Sequence, residues 1–316
     1  MTMENKIYYY LDQIKKLQNG EFVPPVTCEI DPSNQCPADC SFCMFSQYIK
    51  TSRVHMKWDV YLKLIYELKH LGTKSITFTG GGEPLMNPKF NDMAQVAHDL
   101  GFEIGLVTNG ILINELQNAE LFKFIRVSLD AGTHETYQKV KGIDAFSKVV
   151  ENMTAALKIN KTVGISYVVG PDNNTMDELN MAQGLADNLG AAYIQFKPMY
   201  INGGIFTDYK LPTSTETTIK TPRYKTGEKL PCIIAHLVGV VTADNSVYYC
   251  CQGRGKLNYR LGSISQESFE SLWRQRLKHT NIALRQCPPC RYSNYAKTVK
   301  ELLKEGDYFF EHKYFL

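Results

Sequence analysis

The sequence predicts an α/β protein built on a parallel sheet, with a smaller α+β unit at its C-terminal end. Two patterns and one distribution lead there. Between about residue 26 and residue 198, short apolar, β-rich runs alternate with amphipathic helical stretches. From Pro231 the pattern turns into a hairpin followed by short helices. The nine cysteines fall into two groups, Cys28, Cys36, Cys40 and Cys43 near one end and Cys232, Cys250, Cys251, Cys287 and Cys290 near the other. The 316 residues, 44% of them hydrophobic, suffice for one large domain and a smaller one.

Taken in order, residues 1–25 form an N-terminal extension. Strands are expected at 26–30, 75–79, 103–108, 125–129, 163–169 and 193–198, and helices at 58–71, 88–100, 146–159 and 176–189. Such alternation implies right-handed crossovers and ligands at the carboxyl ends of the strands, in an open sheet or a full or partial barrel. Residues 200–230, with Gly203, Gly204, Pro212, Pro222 and many threonines, read as a connector. Residues 231–316 form the second unit. Its runs 237–242 and 246–250 flank the turn Ala243-Asp244-Asn245, and helices are expected at 266–279 and about 294–303.

The unusual residues gather after the strands. Cys36–Cys43 follow the first, Gly80–Pro84 the second, Asn109 and Gly110 the third; Ser128 and Asp130 close the fourth, Gly170 and Pro171 the fifth. Cys36-x3-Cys40-x2-Cys43 puts three thiolates on one loop, enough to bind three irons of a cubane and leave the fourth open. A zinc knuckle is the competing reading, with His55 the only nearby histidine to complete it. An odd number of cysteines in tight groups, without a secretion signal, argues for metal ligation over a disulfide framework.

The loop resembles that of the radical SAM superfamily, with Phe42 in the aromatic position beside Cys43. Gly80-Gly81-Gly82-Glu83-Pro84 is similar to the family's GGE motif, and Thr108-Asn109-Gly110 and the segment from Arg126 through Ser128 to Asp130 are similar to its strand-three and strand-four endings. The resemblance implies a partial (β/α)6 TIM-like barrel over residues 26–199. It implies a [4Fe–4S] cluster on Cys36, Cys40 and Cys43, with S-adenosylmethionine on its open iron. Phe42, Gly81, Gly82, Glu83, Asn109, Ser128 and Asp130 are then the cofactor-binding residues. Lys141 stands where relatives carry an arginine toward the methionyl carboxylate, and supplies charge without a bidentate fork.

In the second group, Cys232, Cys250, Cys287 and Cys290 have spacing that suits a four-thiolate zinc site or a fully ligated cubane. The segment 239–251, the run 261–264 with Trp273 after it, and the closing C-x2-C look like the shortened SPASM module called Twitch, which implies a second, auxiliary [4Fe–4S] cluster. Cys250 is preferred over Cys251 as its ligand.

A deoxyadenosyl radical would abstract hydrogen from a C–H bond. Loss of a proton and of an electron to the auxiliary cluster would then oxidise the substrate, with a sugar, aminocyclitol or nucleoside favoured. Epimerisation would instead need a thiol donor, Cys251 or Cys28. A peptide- or protein-modifying enzyme of the same superfamily and a non-enzymatic zinc protein are the other readings. The expected partners are a small-molecule substrate and a one-electron reductant such as flavodoxin or ferredoxin. The charge of +3, from 35 basic and 32 acidic residues, shows no basic block for nucleic acid. No apolar run is long enough to span a membrane, and a soluble, cytoplasmic protein is expected.

Overall fold

The computed structural model describes residues 3–201, 204–213, 219–220, 233–276 and 299. The extension holds a 3-10 segment, Met3–Tyr10, and helix α1 (Leu11–Gln18). Then come β1 (Thr27–Ile30), α2 (Ser46–Thr51), α3 (Trp58–Leu71), β2 (Ser75–Phe78), α4 (Phe90–Asp99), β3 (Glu103–Thr108) and β4 (Phe122–Ser128). They are followed by α5 (His134–Lys141), α6 (Phe146–Ile159), β5 (Val163–Val169), α7 (Met176–Leu189) and β6 (Ile194–Pro198). The remaining elements are β7 (Tyr200–Ile201), β8 (Gly204–Ile205), β9 (Ile219–Lys220), β10 (Val238–Val241), β11 (Ser246–Tyr248), β12 (Arg260–Ser263) and α8 (Phe269–Gln275).

Strands β1 to β6 pair in chain order and in parallel, as expected of repeated βα units, and β9 adds to β6. The middle of the sheet is the most buried, as cover by helices requires; every residue of β5 except Val168 is buried. The parallel order places the loops after β1 to β5 along one edge of the sheet. Three of the expected helices, α3, α6 and α7, have the observed bounds. Helices α1, α2 and α5 escaped the sequence reading because six to eight residues hold about two turns of periodicity.

The hairpin β10–β11 forms around the expected turn. Asn245 adopts the left-handed conformation there (φ 67°), and the Asp244 carboxylate accepts from the Thr242 hydroxyl and the Ser246 amide. Its sheet is not separate. Strand β10 lies parallel to β1, from Thr27 opposite Val238 to Ile30 opposite Val241, so the hairpin and β12 extend the same ten-stranded sheet beyond β1. Helix α8 is tied down from below. The Glu67 carboxylate of α3 accepts from the Phe269 and Glu270 amides at 3.0 and 2.9 Å, satisfying N–H groups that the helix leaves open. The Trp273 indole donates to the Val23 carbonyl at 2.8 Å.

On one face of β1–β4 the core carries a run of rings. Phe78 meets Phe90 edge-on at 5.3 Å, and Phe90 stacks on Phe122 at 6.3 Å. Among the described residues no helix is long and apolar enough to cross a membrane. The Phe90 ring is fully surrounded, so Phe90→Ala should cost about 3–5 kcal/mol of unfolding free energy, read from urea midpoints.

Candidate cofactor site at the carboxyl ends of the strands

The loop carrying Cys36, Cys40 and Cys43 contains little regular structure, so its backbone groups must be satisfied by neighbours. At its start, the Asp31 amide donates to the Val241 carbonyl of β10 at 2.9 Å. Ser33 bridges His55, and Asn87 donates its amide to the Pro32 and Met56 carbonyls at 2.8 and 3.0 Å. In the middle, the Asp39 and Ser41 amides donate to the Lys141 and Val140 carbonyls, both at 3.0 Å, so the loop occupies acceptors left open at the end of α5. Gly142 makes this docking possible. It ends α5 in the left-handed conformation (φ 66°), and a Cβ there would lie 2.9 Å from the Asp39 carbonyl oxygen.

The glycine loop after β2 is pinned to the cysteine loop on one side and to β3 on the other. The Gly82 amide donates to the Ser33 carbonyl and the Glu83 amide to the Gln35 carbonyl at 2.7 Å. A Cβ on Gly82 would stand 2.4 Å from the Gln35 oxygen, so the backbones touch in a way only glycine allows. Glu83 is buried. Its carboxylate accepts from the Thr108 hydroxyl and the Asn109 amide, both at 2.7 Å, and from the Leu85 amide at 3.2 Å. Burial pushes its carboxyl up to about 7, against the opposing pull of these donors. The Asn109 side chain in turn points its amide at the Cys36 sulfur, 3.8 Å away.

Asp130 and Lys141 find each other. Asp130, in the left-handed conformation (φ 60°), accepts the Val168 amide on one oxygen and the Lys141 ammonium on the other; both side chains are at most 2% exposed. Burial alone would lower the Lys141 pKa, but the Asp130 carboxylate outweighs it and holds the ammonium charged. The ammonium lies 5.6 Å from the centre of the Phe42 ring. Lys141 and Asp130, both expected from the sequence to bind the cofactor, are thus paired with each other beside the cysteine loop. Ser128 pairs in register with Ser166, whose buried hydroxyl has no hydrogen-bond partner among the described residues.

Arg254, which the motif analysis did not single out, joins the C-terminal turn to this site. Its guanidinium donates to Asp31 at 2.9 Å, Glu29 at 2.7 Å and the Cys251 carbonyl at 3.1 Å. A lone arginine four residues past a strand carries no local signal; only the β1–β10 pairing brings it to Asp31.

Cys250 is partly buried and Cys251 buried, within a cluster that includes Tyr248, Tyr249 and Tyr259. Cys28 is fully buried in the core, where burial drives its thiol pKa far up, as expected of a small hydrophobe. Cys232, Cys287 and Cys290 lie outside the described residues.

Two measurements check the electrostatics. Lys141→Met leaves the Asp130 carboxylate buried without its cation and should cost about 3–5 kcal/mol in denaturant unfolding. Glu83 holds its proton in the folded chain up to about 7 and in the unfolded chain only to its ordinary 4.5, so stability contributed by the proton is lost as pH rises through that window. Unfolding midpoints of the cofactor-free protein should fall from about pH 5 to about pH 8 more steeply than those of Glu83→Gln.

Residues 30–183 match the model of the Radical SAM superfamily. A probable GTP 3',8-cyclase of Saccharolobus islandicus is 30% identical over 161 residues, covering 49% of this chain and 51% of that protein. The chain thus spans about half the length of such curated relatives. A GTP 3',8-cyclase of Clostridium acetobutylicum is 24% identical over 287 residues, 88% of this chain and 85% of that one. The fold is similar to that of Streptococcus suis SuiB bound to S-adenosylmethionine (TM-score 0.64, 12% identical, 88% of this chain, 72% of that one). It is also similar to that of anSMEcpe with bound AdoMet (TM-score 0.63, 20% identical, 87% and 88%).

The superfamily implies a [4Fe–4S] cluster and S-adenosylmethionine, and the residues present fit both. Among the described residues no three His, Cys, Asp or Glu side chains converge on a single-ion site. A cubane asks less, because each of three thiolates meets a different iron. The three thiols are partly buried, and desolvation raises all their pKa values, that of Cys40 to about 11, so a bound cation is what would make them thiolates. The buried Ser166 hydroxyl, without a partner among the described residues, suits a polar ligand. Over residues 30–183 the chain is thus similar in sequence to the Radical SAM superfamily, and its fold is similar to that of solved structures with bound S-adenosylmethionine.

Proposed function

We propose that the protein is a radical SAM enzyme that removes hydrogen from a C–H bond of a small molecule, a nucleoside or nucleotide foremost, and oxidises it. One observation carries the reading: the loop of Cys36, Cys40 and Cys43 is held by the glycine loop, the end of α5 and β10 at the carboxyl edge of the parallel sheet. When bound and reduced, the cluster and S-adenosylmethionine supply a 5'-deoxyadenosyl radical. The chain's own part is to position and exclude. Glu83 fixes Asn109 beside Cys36, Gly82 brings the glycine loop against the cysteine loop, and the Asp130–Lys141 pair holds the ends of β4 and α5 together.

Oxidation is favoured over epimerisation by the burial of both candidate hydrogen donors, Cys28 at 0% and Cys251 at 8% exposure. Cys232, Cys250, Cys287 and Cys290 would hold a Twitch-type auxiliary [4Fe–4S] cluster, which would supply an electron acceptor. A nucleoside or nucleotide substrate is supported by the relatives named as GTP 3',8-cyclases.

Anaerobic reconstitution followed by iron and sulfide counting tests the reading. About eight irons per chain are expected, falling to about four in Cys36→Ala/Cys40→Ala/Cys43→Ala, which should also lose all 5'-deoxyadenosine formation. Near-stoichiometric zinc without iron would replace the enzyme by a zinc protein. Solvent deuterium in an isomeric product would replace oxidation by epimerisation.

A further inference from the structure

We infer that Arg254 is a positioning residue of the cofactor site, coupling the Cys250–Cys251 turn to the glycine loop through Asp31. The inference rests on the radical SAM reading of that loop and adds a connection between the two cysteine groups.

The geometry is a three-way clamp. Nε donates to Asp31 Oδ2 at 2.9 Å, Nη2 to Glu29 Oε2 at 2.7 Å and Nη1 to the Cys251 carbonyl at 3.1 Å. The same Asp31 Oδ2 accepts the Gly81 amide at 3.1 Å. One oxygen therefore links a residue of the glycine loop to the turn that follows Cys250. Two further contacts join this assembly to the cysteine loop. The Phe45 ring, two residues past Cys43, lies 5.8 Å from the guanidinium, and Gly255 (φ 75°) is seated against the Tyr48 ring of α2.

Burial makes the clamp stiff. Arg254 is 5% exposed, Asp31 0% and Glu29 8%, so water cannot replace any of the three bonds. A planar fork can serve three acceptors in three directions; an ammonium cannot span them. A displacement of the Cys250–Cys251 turn, such as loss of a ligand there would cause, is thus passed to Asp31 and from it to Gly81. Coupling of this kind is mutual: whatever tightens the turn tightens the glycine loop.

A thermodynamic cycle tests it, read as S-adenosylmethionine affinity by equilibrium dialysis on iron-loaded protein. Cys250→Ser and Arg254→Lys should each weaken binding about tenfold, and the double variant also about tenfold, since both break one connection. Amide exchange of residues 79–85 in the cofactor-free chain should accelerate in Arg254→Lys. The variant Arg254→Met/Asp31→Asn/Glu29→Gln, which removes all three charges together, should match Arg254→Lys in both readouts without leaving a carboxylate stranded. Effects that multiply to about a hundredfold in the double variant would overturn the coupling, as would unchanged exchange at 79–85 with only a lowered melting temperature. Iron-loaded wild type that binds no S-adenosylmethionine would overturn the radical SAM reading itself, and the inference with it.

Discussion

The pairing of Asp31 with Arg254 is the interaction on which the arrangement of the site depends. Asp31 ends the first strand and begins the cysteine loop, and it is fully buried. Burial alone would drive its carboxyl toward the neutral form, and Arg254 is the principal opposing influence. Because the arginine comes from beyond β11, the first strand's end is completed only after the chain has returned to pair β10 with β1. The cysteine loop, the glycine loop and the C-terminal turn therefore form one unit, although more than two hundred residues separate their ends.

A second buried pair does the corresponding work on the other side. Asp130 and Lys141 hold β4, β5 and α5 together, and α5 presents its last carbonyls to the cysteine loop. Buried ion pairs of this kind add little net stability, because desolvation offsets much of their attraction. What they supply is a defined geometry: each cation has one set of acceptors, and those acceptors sit on the strand ends. Asp130 also tolerates an unfavourable backbone conformation for a non-glycine residue, which places its side chain between Val168 and Lys141.

Much of this was legible in the sequence because it is local. The long helices α3, α6 and α7 show their period over fourteen residues each, and the parallel strands follow from βα alternation. The three cysteines, the glycine run and Asn109 could be placed after their strands without knowing any contact. What depends on long-range pairing was hidden. The pairing of Lys141 with Asp130 is one case, since nothing in the spacing says that a helix C-terminus folds back onto a strand end. Arg254 carried no signal at all, and the union of β10 with β1 could not be read from a hairpin whose outer edge looks like any other. The Glu83 bonds to Thr108, at the end of β3, and to Asn109 just after it were equally hidden.

On the proposed reading, Cys36, Cys40 and Cys43 would hold a [4Fe–4S] cluster whose open iron binds S-adenosylmethionine. Electron paramagnetic resonance of the dithionite-reduced, iron-loaded protein tests it most directly. The account predicts a [4Fe–4S] signal that S-adenosylmethionine shifts and that Cys40→Ala removes. A spectrum in which no component responds to S-adenosylmethionine, or in which the responding component survives Cys40→Ala unchanged, would contradict it.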